Sequence, residues 1–215
     1  MGRQVFDRLA EHYDAWFDTP EGRVLFAAEV ECLERLMPEG RSGWVEVGVG
    51  SGRFAQALGV PEGLDPSEPL LRMAAERGIS TVEGVAEDLP YEDASLDGVL
   101  LVVTLCFLDE PEAALSEFAR VLRPGGSLLV GIVPADSPWG QLYRRKGQEG
   151  HPFYSTARFY TARQVIDMAA GFGFDFRDVA STLDKSPEAE ASDYRVADEL
   201  VPCWGFVGLL FTLTR

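Results

Sequence analysis

The amino-acid sequence predicts an α/β fold: a doubly wound, mainly parallel sheet of seven strands, the last of them antiparallel. Three observations lead there. The stretch from Trp44 to Ala55 passes from an apolar, β-branched run through alternate glycines into a helical pattern, which reads as strand, tight turn and helix start. Strand-like and helix-like stretches then alternate, joined by crossovers too long for hairpins. Finally, Leu96 to Val103 is almost continuously apolar after Asp97, as a central strand buried on both faces must be.

The elements follow in order. Val5 to Phe17 places Phe6, Leu9, His12 or Tyr13, and Trp16 at helical spacing, an amphipathic helix rich in aromatics that is either core or a lid whose Tyr13 and Trp16 close over a pocket. A second helical pattern from Glu21 to Met37 (Val24, Leu25, Ala28, Cys32, Leu33, Leu36) stops at Pro38-Glu39-Gly40. After the glycine turn the helix from Arg53 is short, because Gly59 and Pro61 break it, and the second strand ends at Asp65. A third helix, Pro69 to Arg77, is closed by Gly78; Ile79 to Val85 alternates as a strand and leads into the acidic loop Ala86-Glu87-Asp88-Leu89-Pro90. Asp109 and Glu112 bracket Pro111 as a capping box for a helix through Ala114, Leu115, Phe118 and Val121. Arg123-Pro124-Gly125-Gly126 then turns the chain into the strand Ser127 to Val133. Pro134 to Tyr160 interrupts the rhythm as a long insertion rich in aromatic residues, of the kind that commonly carries function. Thr161 and Gln164 cap a helix to Ala170, and Phe172 to Thr182 is a strand. Leu183 to Pro202, polar and acidic, reads as a mobile connection to the final strand, Trp204 to Thr214.

At 215 residues, 46% of them hydrophobic, the chain suits one core in a single domain over 1–215, with residues 1–40 and the 134–160 insertion as its two candidate lids. It has no apolar run of about eighteen residues and no apolar signal core near Gly2, so a cytoplasmic protein is expected. Cys32, Cys106 and Cys203 have neither disulfide nor metal-ligand spacing, and no metal is expected. A formal net charge of −16 works against nucleic acid or anionic membrane as partners and would not repel a cationic ligand.

The glycine turn is a cradle by construction. Gly48, Gly50 and Gly52 have no Cβ, so a ligand can lie against the backbone at a helix N-terminus. Asp65, about a dozen residues on, sits where a β/α nucleotide-binding fold places a carboxylate for ribose hydroxyls; its alternative role is a helix N-cap.

The ordered runs Val45-Glu46-Val47-Gly48-Val49-Gly50-Ser51-Gly52, Gly63-Leu64-Asp65-Pro66-Ser67, Ala86-Glu87-Asp88-Leu89-Pro90 with Ser95-Leu96-Asp97, and Val121-Leu122-Arg123-Pro124-Gly125-Gly126 resemble the motif set of class I S-adenosylmethionine-dependent methyltransferases. Within that class they resemble the type 11 group related to the ubiquinone/menaquinone C-methyltransferases, whose opening helix is similar to Tyr13-Asp14-Ala15-Trp16-Phe17. The segments Thr104-Leu105-Cys106-Phe107 and Ala157-Arg158-Phe159-Tyr160 are similar to those of small uncharacterised bacterial members. The resemblance spans Val5 to Phe172 and implies the Rossmann-like methyltransferase fold, S-adenosylmethionine as cofactor and S-adenosylhomocysteine as product.

Residue by residue, it implies that Gly48, Gly50 and Gly52 approach the methionine portion of the cofactor, that Glu46 braces the turn, and that Asp65, followed by Pro66, holds the ribose. Ala86, Glu87, Asp88 and Leu89 would take the adenine end, where Val85 replaces the family's usual aspartate. The adenine contact then passes to Glu87 or Asp88, or to backbone groups of Ala86 and Leu89, while Thr104 faces the methionine end and the transferred methyl. The implied reaction is in-line transfer of that methyl to a small-molecule acceptor, by a monomer or homodimer. Its rivals are a cofactor-binding protein without transfer activity and, remotely, an NAD-dependent oxidoreductase, against which Gly-x-Gly-x-Gly speaks. No catalytic residue is assigned; His151 is the candidate base, with a surface-loop histidine as the alternative. Tyr13, Trp16, Cys106, Tyr154 and Arg158 are the substrate-pocket candidates, the last two either orienting a substrate or anchoring the insertion.

Overall fold

The computed structural model describes residues 2–190 and 192–214. Its elements are α1 (Gly2–Arg8), α2 (Ala10–Trp16), α3 (Pro20–Glu34), β1 (Trp44–Val47), α4 (Arg53–Leu58), β2 (Glu62–Asp65), α5 (Glu68–Glu76), β3 (Ser80–Glu83), β4 (Leu96–Val102), α6 (Pro111–Val121), β5 (Leu122–Ile132), α7 (Pro138–Gln148), α8 (Ala162–Ala170), β6 (Phe174–Thr182) and β7 (Phe206–Leu213). The seven strands lie in the order β3-β2-β1-β4-β5-β7-β6. The first five pair in parallel, and β7 runs antiparallel to both its neighbours, as expected.

This order decides where a ligand can sit. From β1 the chain winds outward through β2 to β3, then returns to place β4 on the other side of β1. The winding direction reverses between β1 and β4, leaving a crevice at their C-terminal ends that no crossover covers. Gly48 follows β1 and Thr104 follows β4, so both stand at that crevice.

Apolar side chains on the two faces of the sheet hold the layers together. On one face α6 and α8 pack through Ala114, Leu115, Phe118, Val165 and Ala169. On the other, α3, α4 and α5 pack through Leu25, Leu33, Phe54, Leu58 and Leu71, joined by Trp139 from α7. Val99 to Val102 are buried throughout, and each such side chain contributes roughly 1.5–3 kcal/mol relative to exposure.

Four local readings change. The helix expected over Val5 to Phe17 is two helices, because Leu9 leaves helical geometry at φ −116°, ψ 21°. No capping box forms at Asp109 and Glu112: Glu110 is the N-cap of α6 and makes no side-chain cap bond, while Pro111 supplies the helical φ at the first position. The insertion contains α7, begun by Ser137, whose hydroxyl accepts from the Gly140 amide at 3.0 Å, with Pro138 at the first turn. The connection 183–202 is stitched to β6: Ser181 Oγ donates to the Glu199 carbonyl (2.7 Å), Thr182 Oγ1 to that of Arg195 (2.8 Å), and Leu183 is buried. Ala191 lies outside the described residues. Thr161 and Gln164 do form the expected reciprocal capping box on α8.

Candidate active site

A single cavity of about 530 Å³ opens from the crevice between β1 and β4 and continues beneath α2 and the 134–160 segment. Ligand sites are commonly 300–1,000 Å³.

At one end is the glycine turn, whose three glycines have different tasks. The Gly48 amide donates to the Leu64 carbonyl at 2.7 Å; a Cβ there would collide with the side chain of Thr104, so Gly48 makes room for β4's end. Gly52, at φ +82°, lies so close to α5 that a Cβ would come within 2.9 Å of the Ala74 Cα. It serves helix packing and does not line the cavity, which corrects its expected place beside a ligand. Gly50, at φ +53°, has only the Tyr13 ring near it, 3.6 Å from where a Cβ would stand, and is the glycine that offers open backbone to the cavity.

Asp65, at the end of β2, is oriented by two amides: Gly50 N–H donates to Oδ2 (2.9 Å) and Ser67 N–H to Oδ1 (2.8 Å). Turn and carboxylate are thus one unit, and Asp65 is not the N-cap of α5: that position is Ser67, which makes no side-chain cap bond and whose own amide is bound to Asp65. Pro66 lines the cavity beside it. Glu46 is buried under the turn, away from the cavity wall, and accepts from the Ala55 amide in the first turn of α4. Burial pushes its carboxyl well above the ordinary range, with the Asp65 charge adding to the effect, and Oε2 has no hydrogen-bond partner. Along the acidic loop, Val85, Ala86 and Glu87 line the cavity, Val85 with 43% of its surface exposed. Asp88 and Leu89 do not: Asp88 points to solvent, and Leu89 is in the core, its amide held by Glu117 at 2.8 Å. Thr104 lines the cavity with its Oγ1 3.0 Å from the Val102 carbonyl.

The other end is aromatic. Phe6 of α1 lies 5.6 Å from Tyr13 of α2, 5.2 Å from Phe107 and 5.2 Å from Phe153, and Tyr13 also meets Phe153, so the N-terminal helices contact the insertion through these rings over the cavity. Trp16 lines the rim, partly exposed. Tyr154 is sandwiched between Tyr143 and His151, each with ring centroids 4.5 Å away and nearly parallel planes. His151 lines the cavity with Nδ1 buried and unpartnered; burial, the Lys146 charge and His12 all lower its pKa, so the neutral imidazole is favoured. Burial pushes the Cys106 thiol up to about 12, and its Sγ donates to the Val103 carbonyl at 3.3 Å, an inert wall group. The Arg158 side chain is exposed and off the cavity wall. Its amide donates to the Cys106 carbonyl at 2.7 Å, so Arg158 anchors the insertion through its backbone.

A clamp fixes α2 over the turn. Asp14 accepts from Arg53 Nε (2.7 Å) and from Arg77 Nη2 (2.8 Å), and Arg77 also donates to the Ser51 carbonyl at 2.8 Å. Burial alone would raise the Asp14 pKa, but hydrogen bonds from Arg53, Ser51 and Arg77 hold it well below the carboxylate range. Neither this clamp nor Glu29, a buried carboxyl on α3 that lines the aromatic end, was expected from sequence. The helical pattern does carry a signal for the latter: position 29 falls on the same stripe as Leu25, Cys32, Leu33 and Leu36.

Among the described residues no cluster of ligating side chains could hold a metal ion, and no helix is long and apolar enough to cross a membrane. The family model described as a methyltransferase domain matches residues 45–130. A Thermotoga maritima crystal structure described as an S-adenosylmethionine-dependent methyltransferase, possible histamine N-methyltransferase, superposes with a TM-score of 0.91 at 36% identity over the whole of both chains. An uncharacterised protein of Methanocaldococcus jannaschii is 39% identical over 170 residues, 79% of this chain and 80% of the relative. A ubiquinone/menaquinone biosynthesis C-methyltransferase of Brucella anthropi is 30% identical over 142 residues, 58% of this chain and 54% of that enzyme.

Proposed function

This chain belongs to the S-adenosylmethionine-dependent methyltransferase family, and from that premise we propose that it methylates a small-molecule acceptor by in-line displacement within the cavity beneath α2 and α7. The observation that carries this reading is the continuity of one cavity from the Gly50–Asp65 unit to the tyrosine-lined chamber. Such a cavity seats donor and acceptor end to end.

The residues fit the donor. Gly50 leaves backbone open where the methionine portion would lie, and Asp65, oriented by two amides, presents a carboxylate to the ribose hydroxyls as a charge-assisted acceptor. Val85, Ala86 and Glu87 wall the adenine end, an apolar surface where the ring can stack. Glu46 holds the first turn of α4 in place. When bound, the donor supplies a methyl group already activated by its sulfonium. What remains for the protein is alignment and dryness. Thr104 and the tyrosines fix the approach, and the Phe6, Tyr13, Phe107 and Phe153 seam excludes water. Alignment of two reactants alone contributes about 7–11 kcal/mol. Neutral His151 is the group available to accept a proton.

Thermal melting tests the reading. S-adenosylhomocysteine at about a hundred times its dissociation constant should stabilise the fold by roughly 2.7 kcal/mol, a rise of several degrees for a chain of this size. A shift with NAD and none with S-adenosylhomocysteine would sink the proposal. A screen of amines, thiols, phenols and quinol precursors for conversion of donor to S-adenosylhomocysteine then identifies the acceptor class.

A further inference from the structure

Glu29 has no task in binding the donor. It lies on α3 within an apolar stripe, only 9% exposed, and that remnant faces the cavity. Burial pushes its carboxyl up to about 8, and among the described residues no hydrogen bond or cation opposes the shift. An acid placed so is costly, since nothing returns the hydration it loses. The groups around it are aromatic: Tyr13, Tyr143 and Tyr154 all lie within reach of its charge, the last two as a stacked pair. Among the described residues lining the cavity, Glu29, Asp65, Glu87 and Asp109 are set against one lysine, Lys146, whose ammonium lies over the Tyr143 ring at 5.8 Å.

We propose that Glu29, walled by Tyr143 and Tyr154, is the acceptor subsite and takes the nitrogen of a small organic amine. The inference rests on the reading of the chamber as the place where the acceptor binds. An ammonium ion beside Glu29 would supply the hydrogen bonds and the opposite charge that its carboxyl lacks, and would favour the ionised form. A carboxylate-bearing acceptor would instead leave Glu29 in its neutral form and gain no ion pair. A phenol or alcohol could offer one hydrogen bond but no charge. Glu29 is therefore the residue that sets acceptor specificity, and the net charge of −16 favours arrival of a cation.

The test uses the intact protein and calorimetry, with and without saturating S-adenosylhomocysteine. The probes are butylamine, phenethylamine and tyramine, each beside the alcohol and carboxylate of the same skeleton. The wild type should bind at least one amine ten times more tightly than its alcohol partner and reject the carboxylate. Glu29→Gln should abolish that preference and leave S-adenosylhomocysteine affinity within twofold, while Glu29→Asp keeps part of it. Absence of any amine preference in the wild type, or a preference that survives in Glu29→Gln, overturns the proposal. Binding of S-adenosylhomocysteine is read separately. An amine preference without it would leave the subsite standing and remove the methyl-transfer reading; the converse removes the subsite alone.

Discussion

The two ends of the cavity are built by different means. The proposed donor end is drawn from three short stretches, Gly48 to Gly50, Asp65 to Ser67 and Val85 to Glu87, that follow the adjacent parallel strands β1, β2 and β3 at the same edge of the sheet. The acceptor end is made of side chains from α1, α2, α3, α7 and the segment after it, which meet only once the whole chain is folded. The first can serve any protein that binds the same donor. The second is set by side chains on the cavity-facing sides of helices whose other sides pack on the sheet. The difference teaches that local chain geometry builds one end of this cavity and tertiary packing of side chains builds the other.

The largest effect should come from breaking the donor end alone. Asp65→Ala removes the proposed ribose acceptor and leaves the Gly50 and Ser67 amides unpaired. S-adenosylhomocysteine should bind at least tenfold more weakly in calorimetry, a loss of about 1.4 kcal/mol or more, with acceptor preference unchanged. Unchanged donor affinity would mean that the ribose lies elsewhere. Next, Tyr154→Ala removes both stacks at the acceptor end. Each such pair contributes about 0.5–1.5 kcal/mol to holding the chamber wall, so the melting temperature should fall by a few degrees and acceptor KM should rise, with donor affinity within twofold. Equal losses of both would show the two ends to be coupled.

The smallest effect sharpens the comparison by acting on the tie between the ends. Asp14 is held below its unfolded pKa by Arg53, Ser51 and Arg77, so the stability it contributes is present above about pH 4 and is lost as pH falls further. Asp14→Ala should lower the melting temperature at pH 7 by a few degrees, corresponding to about 1–2 kcal/mol, because its arginine partners are partly exposed. The gap between variant and wild type should begin to narrow as pH falls below about 4, and should close only once the pH passes the much lower pKa that Asp14 has in the folded protein. A constant gap across that range would assign the loss to packing instead of charge.

Legibility from sequence follows the same division. The glycine turn, Asp65 and the parallel order were readable, because a contiguous strand, turn and helix states its own geometry through residue type and spacing. The acceptor end required contacts between α3 and α7 that no local pattern encodes. Gly52 illustrates the limit within the readable part. Its lack of a Cβ is equally demanded by a ligand or by Ala74, and only the fold shows that α5 occupies the space. In the insertion, Ser137-Pro138 was a legible helix start outweighed by Gly140 and Gly147, whose Cβ positions are filled by the backbone of Pro134 and Tyr154. Glu29 is hard to read for the opposite reason: one acid at position 29 does not break the apolar periodicity of α3.

The Asp14 clamp also bears on the sign of the ligand. Arg53 and Arg77 are the cations nearest the glycine turn, and a helix N-terminus with two bare guanidinium groups beside it is an anion receptor. Asp14 and Asp18 arrive on the N-terminal segment and cancel those charges. The segment that roofs the cavity therefore also neutralises the positive charge beside the glycine turn.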